Sequence, residues 1–400
     1  MELADIIFIP LSLFLGHYII NRVVKKHQIP NAKPLLTKLF YYHIFFALVF
    51  AFYILTFGGD ASNYWEFPKR FMLPWESWFV LHKTGTSFVF FLTYPFTQNF
   101  DISFVAGNIM FSLFGFGGFV FLFLICLKYI PFNPKIWGYK LFPLVLFLPN
   151  MHFWSAGLGK DSIIFFTLCG LIYAATSPKK NILFIALCFY LAYFIRPHIA
   201  LLMVVGFGGG LLLSSKGASP FWRITFLAIS IGAFVLIAPA VLDFVGVEQE
   251  SLESFEDVAE VRSSNLSRAK TGSAIDISGL SVPAKIGTFL FRPLIIDSNN
   301  AFGLIVSVEN LLYVLMFISI LRFRNIPIIL KMPVFLKASF FILFSAAFFL
   351  SSSLSNLGII IRQKNMVMFM FVLIVLYVLG IDQNRHRKRI PKKPKVTNRL

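Results

Sequence analysis

Four cations stand at the edges of apolar runs in this chain: Lys160, Arg196, Arg292 and Arg362. A charge at the hydrocarbon boundary is costly and marks either an ion pair or an anion site. Gathered on one side, four such cations suit a polyanionic group such as a diphosphate. Arg is the better clamp, because its planar fork takes two oxygens at once. His198, in the run Arg196-Pro197-His198, is placed to share the Arg196 site. Asp60 and Asp161 are the candidate general bases, since a hydroxyl attacking an activated carbon benefits from a carboxylate within hydrogen-bond reach. Asp161 follows Lys160 and precedes Ser162, so an ion pair and a helix cap compete with catalysis there. Asp60 follows Gly58-Gly59 and precedes Tyr64-Trp65, which reads as a loop near a carbohydrate or as a turn with an interfacial aromatic anchor. Glu309, beside Asn310 in an apolar run, is expected to be protonated, paired with Arg292, or part of an ion path.

Metal and redox chemistry find little support. Cys126, Cys169 and Cys188 lie inside apolar runs without CxxC spacing, which gives neither a zinc site nor a disulfide framework. The 7 histidines are scattered, with no HExxH pattern. No metal site and no cofactor are expected.

The elements that position these residues belong to a membrane. The chain is 400 residues long, 58% hydrophobic and only 14% charged, where a water-soluble globule is about a quarter charged. Its mean hydropathy is +0.77. Apolar runs of bilayer length recur, so the expected fold is all-α: a polytopic helical bundle of about eleven membrane spans. The acidic start, MELAD, reads as leading into a retained first helix instead of a basic signal peptide. Expected spans cover residues 6–24, 39–57, 103–127, 141–157 (interrupted by Pro143 and Pro149), 162–175, 224–242, 301–321, 338–350 and 366–381. Residues 182–213 read as a hairpin of two short helices with Arg196-Pro197-His198 at a sunken tip, because one crossing needs only about 30 Å. Residues 1–382 form one membrane domain, with a long outer loop at 243–300, and 383–400 form a basic cytoplasmic tail.

The side of each loop follows from its charge. Most of the 36 Lys and Arg fall in alternate loops and in the tail, and positive residues gather on the cytoplasmic side. The N-terminus is therefore expected outside and the C-terminus inside. The net charge of +18 then needs no nucleic acid, because anionic lipid on the inner leaflet suffices. The same assignment places Asp60, Lys160-Asp161, the Arg196 tip and the Arg362-Gln363-Lys364 segment outside. Within the long loop, Leu252, Phe255, Val258 and Ala259 recur at helical spacing among acidic residues, as in an amphipathic surface helix.

Several runs, in this order, resemble bacterial multi-spanning polysaccharide-assembly proteins of the Wzy-type polymerase and EpsG-like kind. They are GDASNYW after an early span, LPNMHFWSAGLGKDS, FIRPH, FLFRPL before VENLL, and NLGIIIRQK before the last span. The resemblance covers most of the chain through short motifs. It implies a metal-independent glycosyltransferase that joins undecaprenyl-pyrophosphate-linked glycans at the outer face of the bacterial inner membrane. It also implies that Lys160, Arg196, His198, Arg292 and Arg362 bind the pyrophosphate. Lipid-linked glycan, membrane lipid and a chain-length regulator or other assembly protein are the implied partners. Many members carry a long loop rich in Arg, whereas the loop here begins acidic. The alternative is a transporter or flippase for the same class of anionic lipid, although no internal repeat of the transporter kind is visible.

Overall fold

The computed structural model describes residues 2–70, 74–213, isolated positions between 224 and 235, 279–298, 301–353 and 357–389. The expected span at 224–242 lies largely outside these residues, and the amphipathic segment at 252–259 wholly so. The described chain is helical apart from a two-residue hairpin, in which β1 (Lys135–Ile136) pairs antiparallel with β2 (Tyr139–Lys140). Trp137 and Gly138 make its turn with positive φ.

The chain opens with α1 (Asp5–His27) and α2 (Lys33–Phe57), followed by α3 (Asp60–Arg70), α4 (Thr86–Gln98) and α5 (Phe104–Tyr129). After the β-hairpin come α6 (Pro149–Ser155), α7 (Lys160–Ala174), α8 (Ile182–Ile195) and α9 (Pro197–Leu212). The last part holds α10 (Val282–Phe291), α11 (Ala301–Ile320), α12 (Ile326–Leu330), α13 (Val334–Ser353) and α14 (Leu357–Arg389). Among the described residues six helices are long and apolar enough to cross a bilayer, or up to seven if the bent pair α6–α7 is one span. This is a helical, multi-pass membrane protein.

Apolar periodicity sets the layering. α5 is apolar on all sides, and the apolar stretches of α5 and α14 are largely buried, as expected of helices surrounded by other helices. α1 and α11 leave much of their apolar surface open, which suits lipid contact. α5 packs on α1, α2 and α7, while α14 packs on α6, α7, α11 and α13, so α7 stands between the two central helices. α9 lies against α13, with Gly206, Gly209 and Gly210 giving room for Ile342, Phe341 and the Ala338 backbone.

Three expectations change. The stretch 141–157 is not a helical span: Pro143 and Pro149 break it into a 3-10 turn (Leu144–Phe147) and the seven-residue α6. Asp60 does not sit in a loop, because the two glycines before it, both at positive φ, end α2 and α3 starts at Asp60 itself. Arg362 does not lie in a segment before the last span. α14 already begins at Leu357 and runs 33 residues, about 50 Å at 1.5 Å per residue, carrying the chain through position 382 into the basic tail. The split of 182–213 holds: α8 and α9 meet at Arg196, where Pro197 supplies the first residue of the second helix.

Candidate functional site

The floor of the site is α6 and the turn that follows it. Pro149 occupies the first turn of α6, where its missing N–H costs nothing. The chain then bends by 112° into α7. Gly159 makes that corner at φ +138, a conformation L side chains rarely adopt, and the Tyr64 ring lies 3.1 Å from where a Cβ would stand. Asn108 of α5 staples the corner, its Oδ1 accepting from the Leu158 N–H at 2.7 Å while its Nδ2 donates to the Ala47 carbonyl at 2.7 Å. Glu309 holds the start of α6: one carboxylate oxygen accepts the Asn150 N–H at 2.9 Å, and the other accepts the Tyr313 hydroxyl at 2.7 Å. His152 anchors the middle, its Nδ1 lying 2.9 Å from Nδ1 of His43 on α2.

On this floor five charged side chains meet. Asp161 is the second residue of α7 and buried. Its Oδ1 accepts from Arg196 Nη2 at 2.7 Å, and its Oδ2 accepts from Arg362 Nε at 2.5 Å. Arg362 reaches on to Asp60, donating from Nη1 to Oδ2 at 3.0 Å. Four separate elements thus converge: the start of α3, the start of α7, the α8–α9 break and the second turn of α14. Arg196 can reach because the break extends its backbone (φ −151) instead of continuing a helix. Lys160 bonds a hydroxyl instead of a carboxylate, donating to Thr86 Oγ1 at 2.9 Å with its ammonium 5.8 Å from the centre of the Tyr64 ring. The Arg362 guanidinium lies 5.6 Å from the centre of the Trp154 ring, within cation–π range.

Part of the cluster lines an open cleft of about 200 Å³. Asp60, Asp161 and Arg362 supply its polar wall, and Phe50, Tyr53, Trp154, Gly58, Gly59 and Gly157 line the rest together with Ile54, Ala61 and Leu158. The two carboxylates differ in setting. Asp161 has both oxygens engaged and almost no exposure, whereas the Asp60 side chain is 59% exposed.

Five of the seven candidate residues are therefore brought together: Asp60, Lys160, Asp161, Arg196 and Arg362. His198 sits half-buried on the first turn of α9, two residues past Arg196. Arg292 joins a different arrangement. Its guanidinium closes on Asp297, Nε at 3.0 Å from Oδ2 and Nη2 at 2.5 Å from Oδ1. Those hydrogen bonds hold the Asp297 carboxyl below the usual carboxylate range. Arg292 is accordingly not the partner of Glu309. The cation near Glu309 is Lys364, wholly buried, which donates to the Arg292 carbonyl at 2.8 Å and to Asn310 Oδ1 at 2.6 Å.

Sequence reasoning missed two neutral members of the site. Thr86 and Asn365 carry no charge to betray them in an apolar chain, whereas Tyr64 is marked as an aromatic beside Asp60. Lys364 was readable only as part of one RQK run. Arg362 and Lys364, two residues apart on a helix, point to different faces, one to the Asp161 cluster and the other to Asn310. Among the described residues no group of three or more His, Cys, Asp or Glu side chains is gathered as a metal site.

No protein-family model, curated protein or solved structure matches this chain.

Proposed function

We propose that this protein is a membrane-embedded glycan polymerase or related glycosyltransferase acting on polyprenyl-pyrophosphate-linked glycans at the outer face of a bacterial cytoplasmic membrane. The observation that carries the reading is the cluster itself: three cations and two carboxylates on four elements, of which Asp60, Asp161 and Arg362 line a cleft walled by Tyr53, Phe50 and Trp154. Aromatic faces suit sugar rings, and cations suit the diphosphate that leaves. In this reading Lys160, which bonds no carboxylate among the described residues, and Arg362, on the cleft wall, are the contacts for the anion. Asp60, open to the cleft, is the general base for the attacking sugar hydroxyl. Asp161 holds Arg196 and Arg362 in place and is a positioning residue, because both of its oxygens are taken. Arg292 lies outside the binding set.

The orientation belongs to the same proposal, with the Asp60 end of the bundle outside and the Lys135–Lys140 hairpin inside. Cys126, Cys169 and Cys188 are all buried, so a single introduced cysteine reads cleanly. Asp60→Cys is expected to react with an impermeant maleimide from outside intact cells, and Trp137→Cys only after permeabilisation. The reverse pattern overturns the orientation.

The function is tested by deleting the gene and profiling surface polysaccharide. A polymerase leaves single repeat units on the surface without long chains, and Arg362→Ala reproduces that loss with the protein still in the membrane. Loss of surface glycan of every length, with lipid-linked repeats accumulating on the cytoplasmic leaflet, favours a flippase instead.

A further inference from the structure

The polar wall of the cleft continues beneath Arg362. A smaller cavity of about 10 Å³ shares Trp154, Asp161 and Arg362 with the cleft and adds Ser155 and Asn365. That volume suits one water-sized group. Asn365 is 3% exposed. Its Nδ2 donates to the Ile361 carbonyl at 3.0 Å and the Asn150 carbonyl at 3.3 Å. Among the described residues its Oδ1 has no partner, and the buried Trp154 Nε1 has none either. Buried polar atoms in native proteins are nearly always satisfied, and two orphans beside one cavity point to an occupant.

Their chemistry narrows what that occupant is. An amide oxygen only accepts and an indole N–H only donates. A hydroxyl does both and satisfies both. An anionic oxygen brings no proton for Asn365 Oδ1 and meets the Asp161 carboxylate, while a cation meets Arg362. Ser155 adds little demand, since its hydroxyl already donates to the Met151 carbonyl at 2.6 Å. We propose that this cavity is the subsite for a neutral sugar hydroxyl. It orients the substrate with its sugar ring toward Trp154 and Asn365 and its phosphates toward Lys160 and Thr86. The proposal rests on the glycan reading of the cleft and adds a direction to it.

The test uses the full-length protein in lipid nanodiscs and two kinds of probe: a panel of free hexoses and N-acetylhexosamines, and inorganic pyrophosphate. Trp154→Phe keeps the ring and removes the N–H, while Asn365→Leu keeps the shape and removes the acceptor. Each is expected to weaken sugar binding about 5- to 30-fold, the worth of one buried hydrogen bond, with pyrophosphate affinity unchanged within about twofold. Lys160→Met is expected to do the reverse. Unchanged sugar affinity in both Trp154→Phe and Asn365→Leu overturns the subsite and leaves the cavity to a water. Equal loss of both probes also overturns it and makes the two residues merely structural. Pyrophosphate binding without any sugar binding in the wild type refutes the subsite but spares the anion reading. Binding of neither probe refutes both.

Discussion

Removing the Asp161 carboxylate tests the architecture of the site most severely. Asp161→Ala leaves Arg196, 7% exposed, without its carboxylate, and frees Arg362 from its shorter ion pair. Breaking a buried pair by deleting one partner costs about 3–5 kcal/mol, because the surviving charge stays desolvated. Arg362→Ala is gentler, about 1–3 kcal/mol, since Asp161 keeps Arg196 and the exposed Asp60 returns to water. At roughly 2 °C per kcal/mol, the low end for large domains, Asp161→Ala lowers Tm by about 6–10 °C. Thermal unfolding in one detergent at one scan rate, on Asp161→Ala, Arg196→Ala and the double variant, gives the coupling. A value of about 1–3 kcal/mol is expected for a contacting pair. Effects that add to within about 0.5 kcal/mol would show that the two side chains do not meet, and the convergence of four elements on Asp161 would fall with them.

The pins beneath the site make further expectations. Glu309→Ala removes the acceptor for the Asn150 N–H and the Tyr313 hydroxyl and is expected to cost about 2–4 kcal/mol, against about 1–2 for Tyr313→Phe, read as loss of thermal stability in that order. Gly115→Ala would put a Cβ against the Ser155 carbonyl and 2.7 Å from His43 Nε2, costing about 1–3 kcal/mol. Gly287→Ala in α10, with nothing among the described residues within 4 Å of the added carbon, is expected to be neutral or stabilising by up to about 1 kcal/mol. Asp297 carries a pH dependence of known sign. Its carboxyl is lowered by Arg292, so its contribution is present above the unfolded value near 3.9 and is lost as pH falls through the lower folded value. Protection from hydrogen exchange across residues 292–298, taken relative to the intrinsic rate at each pH, is expected to fall below about pH 4 in the wild type and to lose that step in Asp297→Asn.

Charge carried most of what the sequence disclosed. In an apolar chain Lys160, Asp161, Arg196 and Arg362 are conspicuous, and their convergence follows from the expense of leaving any of them unpaired in hydrocarbon. Proline was equally legible, marking the break at Pro197 and the interruption of 141–157. Hydropathy failed where it is blind to direction: the apolar residues of 141–157 pass for a span, yet they form a 3-10 turn and the short α6, which meets α7 at a 112° bend. Partner choice was also hidden. Arg292 and Glu309 looked complementary, but Asp297 lies only five residues from Arg292 and takes it first, while Glu309 serves the free N–H of Asn150 at the start of α6. Contacts to neutral partners, such as Lys160 to Thr86, 74 positions apart, leave no trace in a single sequence.

Reconstitution of the purified protein with a polyprenyl-pyrophosphate-linked oligosaccharide in liposomes tests the central claim most directly, with product length read on a gel. Longer lipid-linked glycans and released polyprenyl pyrophosphate are expected from the wild type, and neither from Arg362→Ala or Asp60→Asn. Single repeats that cross the bilayer without growing would contradict the account.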